Sequence, residues 1–407
     1  MRACFRTVIT AFFILACGMV NIANAQKFPD VAKTPPMGWN SWNRFACNIN
    51  EQLMREMADA MITTGLKDAG YLYLNIDDCW HGTRDANGFI QPDPQRFPSG
   101  MKALADYVHG KGLKLGIYSD AGNKTCGGYP GGRGHEYQDA ITYANWGIDY
   151  VKYDWCDTKG MVAETAYTTM RDALNAAGRP VVFSICEWGD NKPWEWAGPI
   201  GHSWRTTGDI YPCWDCEMSH GQWSSWGVLR ILDKQAGLRK YSGPGHWNDM
   251  DMLEVGNGLT EAEERAHFSL WAMMNSPLIS GNDLRSMSES TKRTLTNKDI
   301  IALNQDALGI QAIRYMGGTK VEIYIKPLMN GEWAMLFLNR GDDAVKYEFK
   351  WNDHHLEDDL NKLNVSFNKN VFDWTDLWSH KGGTTDGVFR TTIASHDVVV
   401  LRLKPKS

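Results

Sequence analysis

Several things are missing from this 407-residue chain, and each absence removes a class of function. No stretch is apolar for the roughly 20 residues that a membrane-spanning helix needs. Basic residues are outnumbered, with 42 Lys and Arg against 48 Asp and Glu and a formal charge of −6, so there is no positive footprint for nucleic acid. No H-x-x-x-H and no second C-x-x-C accompany Cys213 and Cys216. A zinc site at that pair would lack half its ligands, and neither a metal nor a cofactor is expected. Low-complexity linkers and short repeats are absent too. What remains is 43% hydrophobic and carries 18 Trp, enough for a large core and a second domain.

The N-terminus is the exception to an otherwise evenly mixed composition. Arg2 and Arg6 precede an apolar run from Val8 to Val20, and Ala23-Asn24-Ala25 has the small residues of a cleavage site. Residues 1–25 therefore read as a signal peptide, and the protein as secreted or periplasmic. Ile14-Leu-Ala-Cys17 is a poor lipoprotein site, because Leu at its second position is disfavoured. Removing the leader takes away Cys4 and Cys17 and leaves an odd number of cysteines. Export permits disulfides, and at least one thiol then stays unpaired. Cys213 and Cys216 are spaced to pair locally, while Cys186 sits inside an apolar run as a buried thiol would.

Between residues 35 and 283, strand-like runs alternate with helix-like ones. The strands expected are Met37–Trp42, Tyr71–Asp77, Leu113–Asp120, Ile148–Asp154, Val181–Trp188, Ser203–Asp209, Gly245–Met252 and Pro277–Gly281. Amphipathic segments such as Asn50–Lys67 and Met161–Ala177 lie between them. This is the pattern of an α/β (β/α)8 TIM barrel, assigned to residues 26–309. After residue 309 apolar and polar residues alternate, and Asn330-Gly331 marks a hairpin turn. Residues 310–407 are accordingly expected to form an antiparallel β-sandwich.

Chemistry collects where the barrel strands end. In Tyr150-Val-Lys-Tyr-Asp154, residues 150, 152 and 154 share one face of a strand. An ammonium beside a carboxylate keeps it ionised, as a nucleophile requires. A purely structural ion pair fits the same five residues equally well. The other strand ends supply Asp77-Asp78, Tyr118 with Asp120, Cys186-Glu-Trp188, Arg205 with Asp209, and Asp249 with Asp251. Barrel enzymes build their sites at these C-terminal ends.

Taken in order, Pro36-Met-Gly-Trp-Asn-Ser-Trp42, Asn75-Ile-Asp-Asp-Cys-Trp80, Gly116-Ile-Tyr-Ser-Asp120, Lys152-Tyr-Asp-Trp-Cys156, Trp204-Arg-Thr-Thr-Gly-Asp209 and Gly245-His-Trp-Asn-Asp249 resemble the α-galactosidase / α-N-acetylgalactosaminidase family of glycoside hydrolases (family 27, clan D). The resemblance runs from about residue 33 to 403. It implies hydrolysis of α-galactosides with retention, Asp154 matching the nucleophile and Asp209 the acid/base. Retaining enzymes place two such carboxyls about 5–5.5 Å apart. Asp77 and Asp78 match a pair that grips the sugar's 4- and 6-hydroxyls. Trp39 matches an aromatic wall, Tyr118 a pocket residue, Lys152 a hydroxyl donor, and Arg205 a group orienting Asp209. Asp251 matches the pocket floor. Cys47–Cys79 and Cys126–Cys156 match family disulfides.

The resemblance also speaks to the sugar. Cys186 and Trp188 match bulky residues that crowd the 2-position in the galactose-specific branch, where α-N-acetylgalactosaminidases carry small ones. Asp at 77, rather than a longer acid, disfavours the other relative, β-L-arabinopyranosidase. An α-galactoside oligosaccharide or polysaccharide is the substrate expected. Met250 stands where relatives often have Pro. A non-catalytic sugar-binding protein on the same scaffold would not need both carboxylates intact.

Overall fold

A computed structural model describes residues 27–318 and 320–406. The expected leader, residues 1–25, lies outside the described residues. Parallel strands Met37–Asn40, Tyr73–Ile76, Lys114–Asp120, Tyr150–Asp154, Val182–Cys186, Ser203–Arg205, Trp247–Asp249 and Leu278–Ser280 pair in chain order, and the last returns to pair with the first. Between the seventh and eighth, a bridge from Leu253 to Ser280 closes the curl. The chain is thus a barrel followed by an antiparallel β domain, as its alternation implied.

The helices form for legible reasons. In Glu51–Thr63 the Asn50 side chain accepts the Leu53 N–H, and Leu53, Met54, Met57, Ala58 and Met61 are buried at helical spacing. Thr260 and Glu263 make a reciprocal capping box at the start of Glu261–Met273. The expected helix Asn50–Lys67 is in fact two, because Gly65 sits at φ +85° and breaks it.

The strands are shorter than alternation suggests, chiefly at their C-terminal ends. Cys79, Trp188 and Asp251 all adopt positive φ (+75°, +61° and +75°), which no strand accommodates. The chain turns sharply where a barrel strand meets its loop, which swings the following side chains over the mouth.

After residue 312 a six-stranded antiparallel sheet runs Ile313–Met316, Val321–Pro327, Trp333–Asn339, Val398–Pro405, Phe372–Asp376 and Gly382–Thr384 in spatial order. Val345–Lys350 pairs with Val388–Ile393, and their Phe349 and Phe389 share a second core with Phe337 and Trp351. Asn330 and Gly331 form the expected tight turn, both at positive φ. The opposite face, through Leu336, Leu338 and Val400, joins the barrel core.

Lys326 fastens the two parts together. From the sheet it donates to Asn275 and, at 2.7 Å, to the carbonyl of Leu303, both on the barrel. Burial pushes this amine from its ordinary 10.5 down to about 7. Between those values the folded protein binds fewer protons than the unfolded chain, so this group's contribution to stability rises with pH. Replacing Lys326 with Met removes the titration. The stability of the wild type relative to Lys326→Met should therefore increase from pH 7 to 9, by at most about 1.4 kcal/mol per pH unit. Thermal melts across that range would show a flat difference if the amine were not depressed.

Candidate active site

The C-terminal strand ends enclose a cavity of about 380 Å3. Asp77, Asp78, Tyr118, Lys152, Asp154, Trp188, Arg205, Asp209 and Asp251 all line it. Seven different barrel strands or their following loops contribute to its wall, which is why no contiguous stretch of sequence resembles it.

Asp154 lies at the end of the fourth strand and is only 6% exposed. Tyr118, on the neighbouring strand, donates its hydroxyl to Oδ2 at 2.9 Å, and the Trp155 N–H donates to Oδ1 at 2.9 Å. Burial pushes the Asp154 carboxyl up to about 6. Lys152 pulls it back down, the charge of Asp209 raises it again, and the two hydrogen bonds lower it. The group is thus ionised at neutral pH but is a stronger base than a solvated carboxylate.

The ion pair on this strand is not the one expected. Lys152 reaches Asp77 Oδ2 at 2.8 Å on the second strand, while Asp154 is left to Tyr118 and the backbone. Asn40 donates to the same Asp77 oxygen at 2.7 Å. Asp78 accepts the N–H groups of Cys79 and Gly127 at 2.6 and 2.7 Å, and burial raises its carboxyl. Two acceptor carboxylates and one ammonium therefore stand side by side in the wall.

Asp209 sits opposite in character. Its side chain is 41% exposed, and Arg205 donates to its Oδ1 at 3.1 Å. The same guanidinium bonds Asp251 at 2.9 Å, and Asp251 in turn accepts the Ile210 N–H at 2.8 Å. Arg205 and Asp251 so hold the loop that carries Asp209 from both sides.

One expected contact is displaced. Trp39 is fully buried, its indole N–H bonded to the Asn282 carbonyl at 2.7 Å, and it does not reach the cavity. Trp42 lines it instead. The strand stops at Asn40, whose side chain accepts the Trp42 N–H at 2.8 Å and starts a short helix, so alternation no longer tells which Trp faces inward. Cys186, level with Asp154 in the strand register, lines an adjoining small polar cavity with Asn75, Ser184 and Asp249, its Sγ 3.8 Å from Arg205. Trp188 does reach the main cavity.

Other lining groups gave little or no signal in the sequence. Glu254, bonded to Asn43 and Asn257 at 2.6 Å and pushed up to about 7 by burial, had only its charge to mark it. Tyr211, His220 and Trp223 come from a loop without barrel periodicity. Asp120 was visible as a strand-end acid. It accepts the Gly122 and Cys156 N–H groups, and burial plus the Asp154 charge raise it strongly.

Disulfides brace the rim. Cys47–Cys79, Cys126–Cys156 and Cys213–Cys216 are bonded and Cys186 is free. Cys126–Cys156 ties the loops after the third and fourth strands, and Cys126 Sγ lies 3.5 Å from Asp154 Oδ2. Asp120, Cys126 and Cys156 converge as metal ligands do, but a disulfide sulfur is not a thiolate ligand. Among the described residues, no helix is long and apolar enough to cross a membrane.

Residues 34–306 match the family model described as alpha galactosidase A, and residues 318–403 match the alpha galactosidase C-terminal beta sandwich domain. The chain is 67% identical to an alpha-galactosidase A of Cellvibrio japonicus, over 94% of this chain and 95% of that one. Among solved structures it is similar to alpha-galactosidase I of Mortierella vinacea (TM-score 0.86, 38% identity, covering 92% of this chain and 98% of that one). It is also similar to the alpha-galactosidase of Saccharomyces cerevisiae with raffinose (TM-score 0.87, 33% identity, 94% and 100%).

The hydrogen bond from Tyr118 stabilises the ionised form of Asp154, so its loss should be read in a pH profile. For Tyr118→Phe, the acid limb of kcat/KM should move upward from about 6, with a roughly tenfold loss in kcat. An unmoved limb would mean that the hydroxyl serves packing alone.

Proposed function

The chain belongs to the alpha galactosidase A family of glycoside hydrolases, and we propose that it cleaves terminal α-D-galactosyl residues by a retaining double displacement. That it is an α-galactosidase follows from a relative 67% identical over nearly its whole length. The stereochemistry and the residue roles rest on one observation. A buried and a half-exposed carboxyl, Asp154 and Asp209, line the same cavity beside a group able to grip a sugar.

Galactose enters with its hydroxyls toward Asp77, Asp78 and Lys152. The carboxylates accept from the 4- and 6-hydroxyls, and the ammonium, already braced by Asp77, donates in return. Asp154 Oδ2 or Oδ1 attacks the anomeric carbon. Asp209 donates its proton to the departing oxygen, and a covalent galactosyl ester forms at Asp154. Esterification removes the negative charge at 154, so a carboxylate at 209 no longer faces a like charge. Asp209 then takes a proton from water, which attacks the anomeric carbon from the side that the leaving group vacated, breaks its bond to Asp154 and restores the Asp154 carboxylate. Two inversions give net retention.

The 2-position is governed by Trp188, whose indole lines the cavity from a left-handed backbone position at φ +61°. Its bulk opposes an acetamido group and favours a plain hydroxyl. Oligosaccharides or polysaccharides ending in α-galactose are the substrates, raffinose-type sugars among them, as in the yeast relative's complex. The three disulfides and the expected leader at residues 1–25 support an exported protein, secreted or periplasmic.

Substituting each carboxyl separates the roles. Asp154→Asn should lose at least about a thousandfold in kcat on every α-galactoside. Asp209→Asn should fail on methyl α-galactoside yet still be galactosylated by α-galactosyl fluoride, whose leaving group needs no proton. NMR of the wild-type reaction should show α-galactose as the first product. Full activity of Asp154→Asn, or β-galactose formed first, would refute the assignment. Sugar choice is tested with aryl glycosides. Hydrolysis of the α-galactoside should exceed that of the α-N-acetylgalactosaminide and the β-L-arabinopyranoside, and Trp188→Ala should narrow the first gap by roughly tenfold.

A further inference from the structure

The loop that carries Asp209 does not return directly to the barrel. It runs through Ile210 to Cys213, forms a two-stranded hairpin from Glu217–Ser219 and Ser224–Trp226, and only then enters a helix at Val228. The root of the hairpin is bonded to the backbone of Asp209 itself. The Trp226 N–H donates to the Asp209 carbonyl at 2.9 Å, and the Tyr211 N–H donates to the Trp226 carbonyl at 2.9 Å. The Cys213–Cys216 disulfide clamps the same root, packed so closely on Gly227 that an added Cβ would lie 2.7 Å from the Cys213 sulfur.

At the tip, Trp223 is 53% exposed and yet fixed in orientation. His220 stacks on it with ring centroids 4.0 Å apart and an interplanar angle of 23°. The other side of that brace is Ser225, a buried residue whose Oγ is 2.7 Å from His220 Nε2. Both rings line the cavity that holds Asp154 and Asp209. An indole held open to water at the mouth of a catalytic cavity is a surface prepared for an apolar face.

We propose that the Trp223–His220 pair is the binding platform for the leaving-group sugar, a pyranose ring whose C–H face stacks on the indole. The proposal rests on the α-galactosidase reading and deepens it by naming the subsite beyond the scissile bond. The position follows from the chemistry. The departing oxygen must lie at Asp209, and the ring attached to it extends toward the element rooted on the Asp209 backbone. Because hairpin and acid/base share one backbone segment, a sugar seated on Trp223 is placed in register with the proton donor.

The experiment compares two substrates that both require protonation of the leaving oxygen, α-galactosyl-(1→6)-glucose and methyl α-galactoside. Only the first carries a ring into the proposed subsite. The readout is the ratio of their kcat/KM values in the wild type, Trp223→Ala and Trp223→Phe. Trp223→Ala should lower that ratio roughly tenfold, and Trp223→Phe, which keeps an aromatic face, should retain most of it. A ratio that is the same in all three proteins would overturn the platform. Partial unfolding, or a general disturbance of Asp209, affects both substrates and cancels in the ratio. Wild-type protein inert on both would instead strike at the α-galactosidase reading, so the two failures are distinguishable.

Discussion

Two buried cations, Lys152 and Arg205, hold the mouth of this barrel together. Around them stand Asp77, Asp154, Asp209, Asp249 and Asp251, more negative charge than a desolvated site tolerates unaided. Burial raises Asp154, Asp249 and Asp251 despite these cations. Each cation reaches a carboxylate carried by a different strand end. Lys152 binds Asp77, and Arg205 binds Asp209 and Asp251. Removing either would leave buried like charges facing one another, at a cost of about 3–5 kcal/mol. The barrel supplies the strands, but this alternation of sign lets so many acids converge.

The same network explains how two carboxylates of one chemistry acquire different roles. Asp154 is buried, doubly hydrogen-bonded and braced by the Cys126–Cys156 loop, so its geometry is fixed and its basicity raised. Asp209 is open to solvent and held through Arg205. A nucleophile benefits from fixity and from exclusion of water, because attack needs one trajectory. An acid/base must exchange protons with a leaving group and then with water, which requires access. Burial on one side of the cavity and exposure on the other divide the labour.

Much of this was legible in the sequence, and the failures are instructive. The alternation of apolar runs revealed the barrel, and strand-end acids located the mouth. The partner of Lys152 was misread because residues i and i+2 share a face but lie about 6.6 Å apart along a strand, whereas the long lysine side chain reaches past the third strand to Asp77 at the end of the second. Cross-strand contact wins, and register between distant segments is not written locally. Trp39 matched the expected aromatic wall, but the strand ends at Asn40, where a side-chain hydrogen bond redirects the chain and Trp42 lines the cavity instead. The positive φ values at Cys79, Trp188 and Asp251 were equally invisible, since none of these is a glycine.

The hairpin at 217–226 was the least legible part, and its geometry shows why. Its strands are only three residues long, Glu217–Ser219 is exposed throughout, and no apolar periodicity marks them. Its order comes from covalent and backbone constraints at the root, the Cys213–Cys216 bond and the hydrogen bonds to Asp209. A loop ordered in this way can vary at its tip without disturbing the barrel, because no core residue depends on Trp223 or His220. It cannot move far without moving Asp209, whose carbonyl anchors it. Freedom at the tip and rigidity at the root are what a leaving-group site needs: the ring that departs can differ, while the oxygen it departs from must stay at the acid.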